Sequence, residues 1–355
     1  MGPIGYYVHH HGDGHRHRAL HIAGQAPERF VLIGTGLAGR TGNIRCLDLP
    51  DDRLDPSSVF DGVDQTSARP SALHYAPLHH SGIRKRVAAI AAWIETERPP
   101  LMVVDVSVEI AMLARLAATP AVYVRLCGAR SDAPHLDAFR SATHLLAPYH
   151  ADLDDPDTPS WIARKTAYFC GFATAVPVRP RAQNTLLVVK GTGGSPADGE
   201  ALAAAARTMP QWQWRVAGPA SPPANAPDNL ALLGWVDDVT HELSGATVVV
   251  GAAGDGLVAQ LAANPRPFIC LPEARPFAEQ TKKAARLRAL GAAVVVDAWP
   301  DPSQWPTLIA AAQQLGTHGL APLHDPAGPA RAAEFLLKTA FARPARNQSM
   351  PESVS

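Results

Sequence analysis

Residues 234–291 read GWVDDVTHELSGATVVVGAAGDGLVAQLAANPRPFICLPEARPFAEQTKKAARLRALG, and this stretch decides the fold. A polar helical segment, Asp237 to Leu243, leads into an apolar run from Ala246 to Val250. A turn with Gly251, Gly254 and Gly256 follows, and a second helix starts there. Another apolar run, Phe268 to Leu271, is closed by Pro272 before a third helix from about Ala278. Strands alternating with helices imply parallel βαβ units. In such sheets ligands sit outside the strands' carboxyl ends, on the turns. Here those turns carry Gly254, Asp255 and Gly256, and then Glu279 with Gln280. Glycines admit a ligand close to the backbone, and helix N-termini offer free N–H groups to an anion. A nucleotide diphosphate is the first ligand this pattern suggests; plain α/β turns are the alternative.

The 355 residues suffice for two domains with separate cores. A formal net charge of zero gives no global field to draw in nucleic acid. Cys46, Cys127, Cys170 and Cys270 lack paired spacing, and all but Cys46 lie in or beside apolar runs. That argues for a reducing, cytoplasmic setting and against a zinc site. Charges and histidines from His9 to Arg18 interrupt any apolar start, so no signal peptide is expected. The apolar stretches near 101–118 and 245–263 are broken by charges and do not read as membrane spans.

Along the chain, Gly5 to His9 reads as the first strand, His9 to Ala19 as a loop, and Arg18 to Ala23 as a short helix. Phe30 to Ile33 is a second strand, and residues 48–80 look irregular. Apolar residues at helical spacing predict a helix over Ile83 to Glu97. Leu101 to Val104 is a buried strand, and Ser107 is the N-cap of the next helix. The first domain is expected over 1–175 and a Pro-containing linker over 176–184. A second α/β domain should cover 185–320, a returning helix 321–342 and a disordered tail 343–355.

Four constellations can carry chemistry. The loop after the first strand holds Gly12, Asp13, Gly14 and His15; its glycines suit a tight turn, and histidine is the usual base near neutral pH. Either His15 or Asp13 can be the base. Consecutive histidines on a strand alternate faces, which disfavours a metal site there. Lys190-Gly191-Thr192-Gly193-Gly194-Ser195 resembles a phosphate loop in kind only, without the Gly-Lys-Ser/Thr ending. Asp105, Glu109 and Arg125, with Arg130, Asp132 and His135, stand near strand ends where clefts are lined; capping and ion pairing are the bland alternative. Arg84-Lys85-Arg86 opens a helix and reads as a solvated face, or as a peripheral contact with anionic lipid headgroups.

This order of parts resembles the two-domain GT-B glycosyltransferases of family 28, typified by the peptidoglycan N-acetylglucosaminyltransferase. The resemblance is strongest from Gly234 to Ala293. It implies two Rossmann-like α/β domains with parallel sheets facing across a cleft. It further implies an inverting, metal-independent transfer from a nucleotide-diphosphate sugar, UDP-sugar being the first choice. The acceptor would be a small or lipid-linked molecule, and no cofactor is called for. By position, Gly14 and His15 match the family's Gly-His, and Thr192 replaces a serine near the donor phosphates. Trp235 and Val236 fall where the base is met, Gly254 matches the glycine of the Ser-Gly turn, and Gln280 matches one of two adjacent glutamines. Ala253, Leu257, Gln260, Glu279 and Lys283 depart from the pattern, which leaves the donor sugar open. Gly191, Gly193, Asp255, Gly256, Gln260 and Glu279 complete the expected donor side. Gly12, Gly14, Asp105, Glu109 and Arg125 form the expected acceptor side. A nucleotide-sugar hydrolase or epimerase, and a non-catalytic nucleotide-sugar-binding protein, are the competing readings.

Overall fold

The computed structural model describes residues 2–10, 13–54, 70–179, 184–191, 194 and 196–342. The expectations for Gly12, Thr192, Gly193 and the tail 343–355 lie outside them.

The first half is a seven-stranded parallel sheet of order β3-β2-β1-β4-β5-β6-β7. Its strands are β1 Ile4–Tyr7, β2 Phe30–Gly34, β3 Arg45–Asp48, β4 Met102–Asp105, β5 Ala121–Val124, β6 His144–Ala147 and β7 Thr166–Tyr168. The inner strands are buried along their whole length because helices cover both faces. On one face lie α2 (Ser81–Glu97), α3 (Val108–Leu116), α4 (Ala133–Ser141) and α5 (Ser160–Lys165), contributing Ile90, Ile110, Phe139 and Ile162 to the core. The other face is covered by α1 (Asp13–Ala23) and by α11 (Gly328–Phe341), the returning helix, whose Ala332, Ala333 and Leu336 pack with Ile22.

The second half is a six-stranded parallel sheet of order β10-β9-β8-β11-β12-β13. Its strands are β8 Asn184–Val189, β9 Trp212–Ala217, β10 Leu230–Gly234, β11 Val248–Gly251, β12 Phe268–Cys270 and β13 Val294–Val295. Helices α6 (Gly199–Thr208), α7 (Thr240–Ser244), α8 (Asp255–Ala263), α9 (Glu279–Ala289) and α10 (Trp305–Leu315) flank it. In each sheet the strand order reverses once, between β1 and β4 and between β8 and β11. Chains leaving neighbouring strands there diverge to opposite faces and open a crevice. The loops at those two places carry most of the candidate residues.

Two segments tie the halves together. A Cβ at Gly171 (φ +88°) would overlap the Asp325 carbonyl, and one at Gly328 would overlap the Cys170 carbonyl. Glycine is what lets the two connecting segments pass that closely. Opposite them, Ala129 N–H donates to the Phe277 carbonyl (2.7 Å), and Arg130 pairs with Glu279 (3.1 Å). Lys282 joins Asp155 (3.1 Å) and Asp157 (2.8 Å).

Three readings of the sequence need correction. Helix α1 starts at Asp13, not Arg18, so His15 and His17 lie in its first turns rather than in a loop, while His9 and His10 precede it. The polar segment DGHRHR shows no helical period because the N-terminal turn of α1 projects past the core. Gly14 is helical with open space around a notional Cβ, so no tight turn depends on it. Arg86 is buried, paired with Asp52 (3.2 Å) and donating to the Tyr7 hydroxyl (2.8 Å), so the basic run does not present one face to solvent or lipid. Strand β3 and helices α4 and α5, of four, nine and six residues, are too short to show a clear period in sequence and were not picked out. The four cysteines are free. No described helix is long and apolar enough to cross a membrane.

Candidate active site

The β1 loop and α1 bring His15 against the end of β4. His15 Nδ1 is 2.9 Å from Asp105 Oδ1. Asp105 is fully buried, and Arg18, one turn beyond His15, donates to both its oxygens (2.8 Å each). Burial alone would push the Asp105 carboxyl up, but the Arg18 guanidinium and the His15 ring outweigh it and hold it at about 2. A carboxylate only accepts, so where His15 donates to Asp105 the ring proton is on Nδ1 and Nε2 is the basic nitrogen; Arg18 Nη2, an obligate donor 2.9 Å from the same Nδ1, favours the other tautomer. Asp13 differs. It is largely exposed, and Arg16 (2.9 Å) and Arg40 (3.4 Å) surround it.

Two cavities flank this helix start. One, of about 700 Å³, runs along the carboxyl ends of the second sheet. Gly191, Trp235, Val236, Gly254, Gly256, Gln260 and Gln280 line it, with His10 and Asp13 from the first half forming the opposite wall. Gly254 is the N-cap of α8, so the first N–H groups of that helix lie at the cavity wall. Trp235 is 56% exposed, its indole N–H held by Asp237 (2.9 Å). Lys190, paired with Glu273, forms part of the rim, and Gln280 is fixed by accepting from Glu273 N–H (2.8 Å).

The second cavity, of about 540 Å³, belongs to the first half. Its lining is largely apolar, with Tyr7, Leu54, Leu73, Tyr75, Ile83 and Ile110 prominent. Glu109 reaches it but already accepts from His74 N–H (2.7 Å), Tyr75 N–H (2.9 Å) and Ser107 Oγ (2.9 Å). Ser107 also caps α3 as expected, accepting from Ile110 N–H (3.2 Å). His10 lines both cavities; it stacks on His9, whose ring lies 5.5 Å from that of His15.

Several expected site residues point elsewhere. Neither Asp105 nor His15 lines either cavity; His15 sits beside them, its ring 5.5 Å from that of His9, and Asp105 is buried against it. Arg125 is buried in a bidentate pair with Asp154 (3.0 and 2.6 Å), away from both cavities. Asp255 turns from the donor-side cavity toward Lys283, which is 0% exposed. Burial would lower the Lys283 ammonium, but Asp255 and Glu279 raise it above its usual value, so the group stays charged. Glu279 faces Arg130 across the interface, where burial and the nearby Asp255 raise its carboxyl. Sequence reading missed Arg18, Arg86 and Phe277. Arg18 was findable: once α1 starts at Asp13, spacing i, i+3 puts it beside His15.

Phe277 and Ala278 both adopt left-handed backbone (φ +60° and +50°), unusual for residues with a Cβ. The Phe277 ring stands edge-on to His135 (4.7 Å between centroids) and under Arg130 (4.8 Å). His135 donates from Nδ1 to Asp132 (2.6 Å), and His74 Nε2 meets the same carboxylate (2.7 Å). The ligand atoms of these three lie close enough to hold a metal ion. However, Arg130 Nη1 is 3.2 Å from His135 Nε2. A guanidinium only donates, so Nε2 accepts and the ring proton occupies Nδ1, the atom a metal would need. The trio is therefore a hydrogen-bonded cluster. In the second such group, His10 with Asp51 and Asp52, both carboxylates already pair with arginines, Arg53 and Arg86.

Two parallel-sheet α/β domains in this arrangement also occur among solved structures. The glycotransferase of kitacinnamycin superposes with a TM-score of 0.67 at 17% identity, over 96% of this chain and 99% of that one. Acinetobacter baumannii MurG gives 0.63 at 16%, over 95% and 100%. Spinosyn rhamnosyltransferase SpnG, complexed with thymidine diphosphate, gives 0.64 at 17%, over 93% and 100%. The chain has the GT-B fold. No protein-family model and no curated protein matches the sequence. At these identities the likeness carries the fold and leaves the chemistry to the site.

Proposed function

We propose that this GT-B chain is an inverting, metal-independent glycosyltransferase that moves a sugar from a nucleotide-diphosphate donor to an acceptor hydroxyl. The observation that carries the reading is that the two cavities share a wall residue, His10, just before α1 and close to His15, which itself lines neither. His15 is backed by a buried carboxylate. The donor would lie along Gly191, Gly254 and Gly256, its base against Trp235 and Val236. His15 Nε2 would take the acceptor proton as the acceptor oxygen bonds to the anomeric carbon. The bond from that carbon to phosphate oxygen breaks, and the nucleoside diphosphate leaves with the electron pair. Such a single displacement inverts the anomeric centre. Main-chain N–H groups at the start of α8, with Lys190 at the rim, would receive the developing diphosphate charge, a role a metal ion fills elsewhere. SpnG was solved with thymidine diphosphate, which makes thymidine as well as uridine donors worth testing.

Membership of family 28 itself is the finer part of this reading, supported by Gly14-His15, Gly254 and Gln280. Ala253, Leu257 and Lys283 depart from it. The test is a thermal-shift panel of nucleotides and nucleotide sugars, followed by product analysis with the stabilising donor. Ligand binding to the folded state raises stability by RT ln(1 + [L]/Kd). Stabilisation by a uridine or thymidine diphosphate, and a product of inverted configuration formed with chelator present, is the expected result. Fast donor turnover without acceptor would favour hydrolysis instead.

A further inference from the structure

We propose that Arg18 is a positioning residue that restrains the His15 base, so that the hydroxyl this site selects is acidic and its carrier apolar: a phenol or an enol. The inference rests on the transfer reading above and deepens it.

The first support is the competition around Nδ1. Arg18 Nη2 lies 2.9 Å from His15 Nδ1 and 2.8 Å from each oxygen of Asp105. In a plain His–Asp pair the carboxylate stabilises the imidazolium that forms as the proton arrives. Here a buried guanidinium already balances that carboxylate, so proton uptake leaves the trio with a net positive charge. Arg18 also acts on the tautomer. Donation from Arg18 to Nδ1 would leave the proton on Nε2, the form that cannot accept. Both effects reduce the driving force for removing a proton, and both matter most for a weakly acidic alcohol. The neighbours do not reverse this. His9 faces His15 from the β1 loop, and Tyr6 lies beside Arg18 and Asp105. From the second half, Asp255 and Glu279 act at longer range, and Lys283 and Arg130 hold them.

The second support is independent and comes from the acceptor-side cavity. Its lining surface is mostly apolar; of the polar groups that also reach it, Asp52 pairs with Arg86 and His10, Arg53 pairs with Asp51, and His9 stacks on His10. Its buried cation, Arg86, is 2% exposed and bonded to Tyr7, Thr35 (2.9 Å) and the Pro50 carbonyl (2.9 Å). Its acid, Glu109, carries three internal donors. A sugar or phosphate acceptor would find few free polar partners, whereas a ring system buries well against Tyr7, Tyr75, Ile83 and Ile110.

The experiment uses the intact chain with a donor from the thermal-shift panel. Ring-substituted phenols of similar size but graded acidity are compared with the saturated-ring alcohol of the same skeleton. The expected result is a kcat/KM that climbs with phenol acidity, with the alcohol about 100-fold slower than the best phenol. An alcohol within about threefold of the phenols would overturn the proposal. In Arg18→Met, the acid limb of the kcat/KM–pH profile should move to higher pH and the phenol–alcohol gap should narrow to about tenfold. Arg18→Lys, which keeps a cation, should retain both the limb and the gap. A folded Arg18→Met with an unmoved profile would reduce Arg18 to packing and overturn its assigned role. Equilibrium dialysis of phenol and alcohol against the unreacted protein separates the two levels. Phenol retention without transfer would sink the transferase reading but support the acceptor class. No retention of either would sink the acceptor class while leaving the donor result intact.

Discussion

The two banks of the crevice are built from different materials. On the first bank, charged side chains are buried and paired with one another: Asp105 with Arg18 and His15, and Arg86 with Asp52. The second bank is lined by glycines, a helix N-terminus and an exposed indole. One bank spends its polarity internally to hold a ring at a fixed angle. The other leaves main-chain donors open to an incoming anion. In the proposed reading, side-chain chemistry belongs to the first half and backbone recognition to the second.

Breaking the first bank should give the largest effects. His15→Ala should lower kcat/KM by about 10²–10⁴ while leaving nucleotide-diphosphate affinity unchanged. A parallel loss of nucleotide binding would show that the banks are not separable. Asp105→Asn strands the buried Arg18 cation, and urea titration should show a stability loss of about 3–5 kcal/mol. A neutral result would mean that the Arg18–Asp105 pair is solvated.

The boundary between the banks should respond to pH. Burial lowers the His135 ring to about 4, against the favourable pull of Asp132. The unfolded ring takes up a proton near 6.5, the folded one only near 4. Stability is therefore full above pH 6.5 and declines as pH falls through that window. At pH 5 the loss should be about 2 kcal/mol, and His135→Phe should remove that component. Identical pH curves for the two proteins would count against a neutral, buried ring. On the second bank, a side chain at Gly254 meets only Gln280 Nε2 (3.8 Å). Gly254→Val should therefore fold normally yet bind nucleotide diphosphate about tenfold more weakly, since the backbone is no longer approachable. Isothermal titration checks this, and unchanged affinity would move the diphosphate elsewhere.

Much of the fold was legible because its signals are local. Buried parallel strands such as Leu101 to Val104 and Thr185 to Val189 are short apolar runs, and the turns after them are rich in glycine. The edge strand Arg45–Asp48 was not legible, since its side chains are mostly exposed and no apolar run marks it. Within the site, Gly254, Trp235 and Gln280 could be placed from the order of the motifs. Asp255 and Glu279 were drawn to the donor by adjacency. Yet successive residues at a helix start point in different directions, and these two turn to Lys283 and Arg130.

By itself, then, the sequence determined two α/β halves, a basic residue after the first strand and a glycine-lined second half, because periodicity and turn chemistry act over a few residues. Only the tertiary structure decided that Asp105, ninety residues away, stands behind His15 and that Arg18 shares its charge. It also decided that Arg125 serves the core and that Phe277 bridges the halves. Those partnerships join strand ends and loops distant in the chain, and no local pattern records which charges will meet.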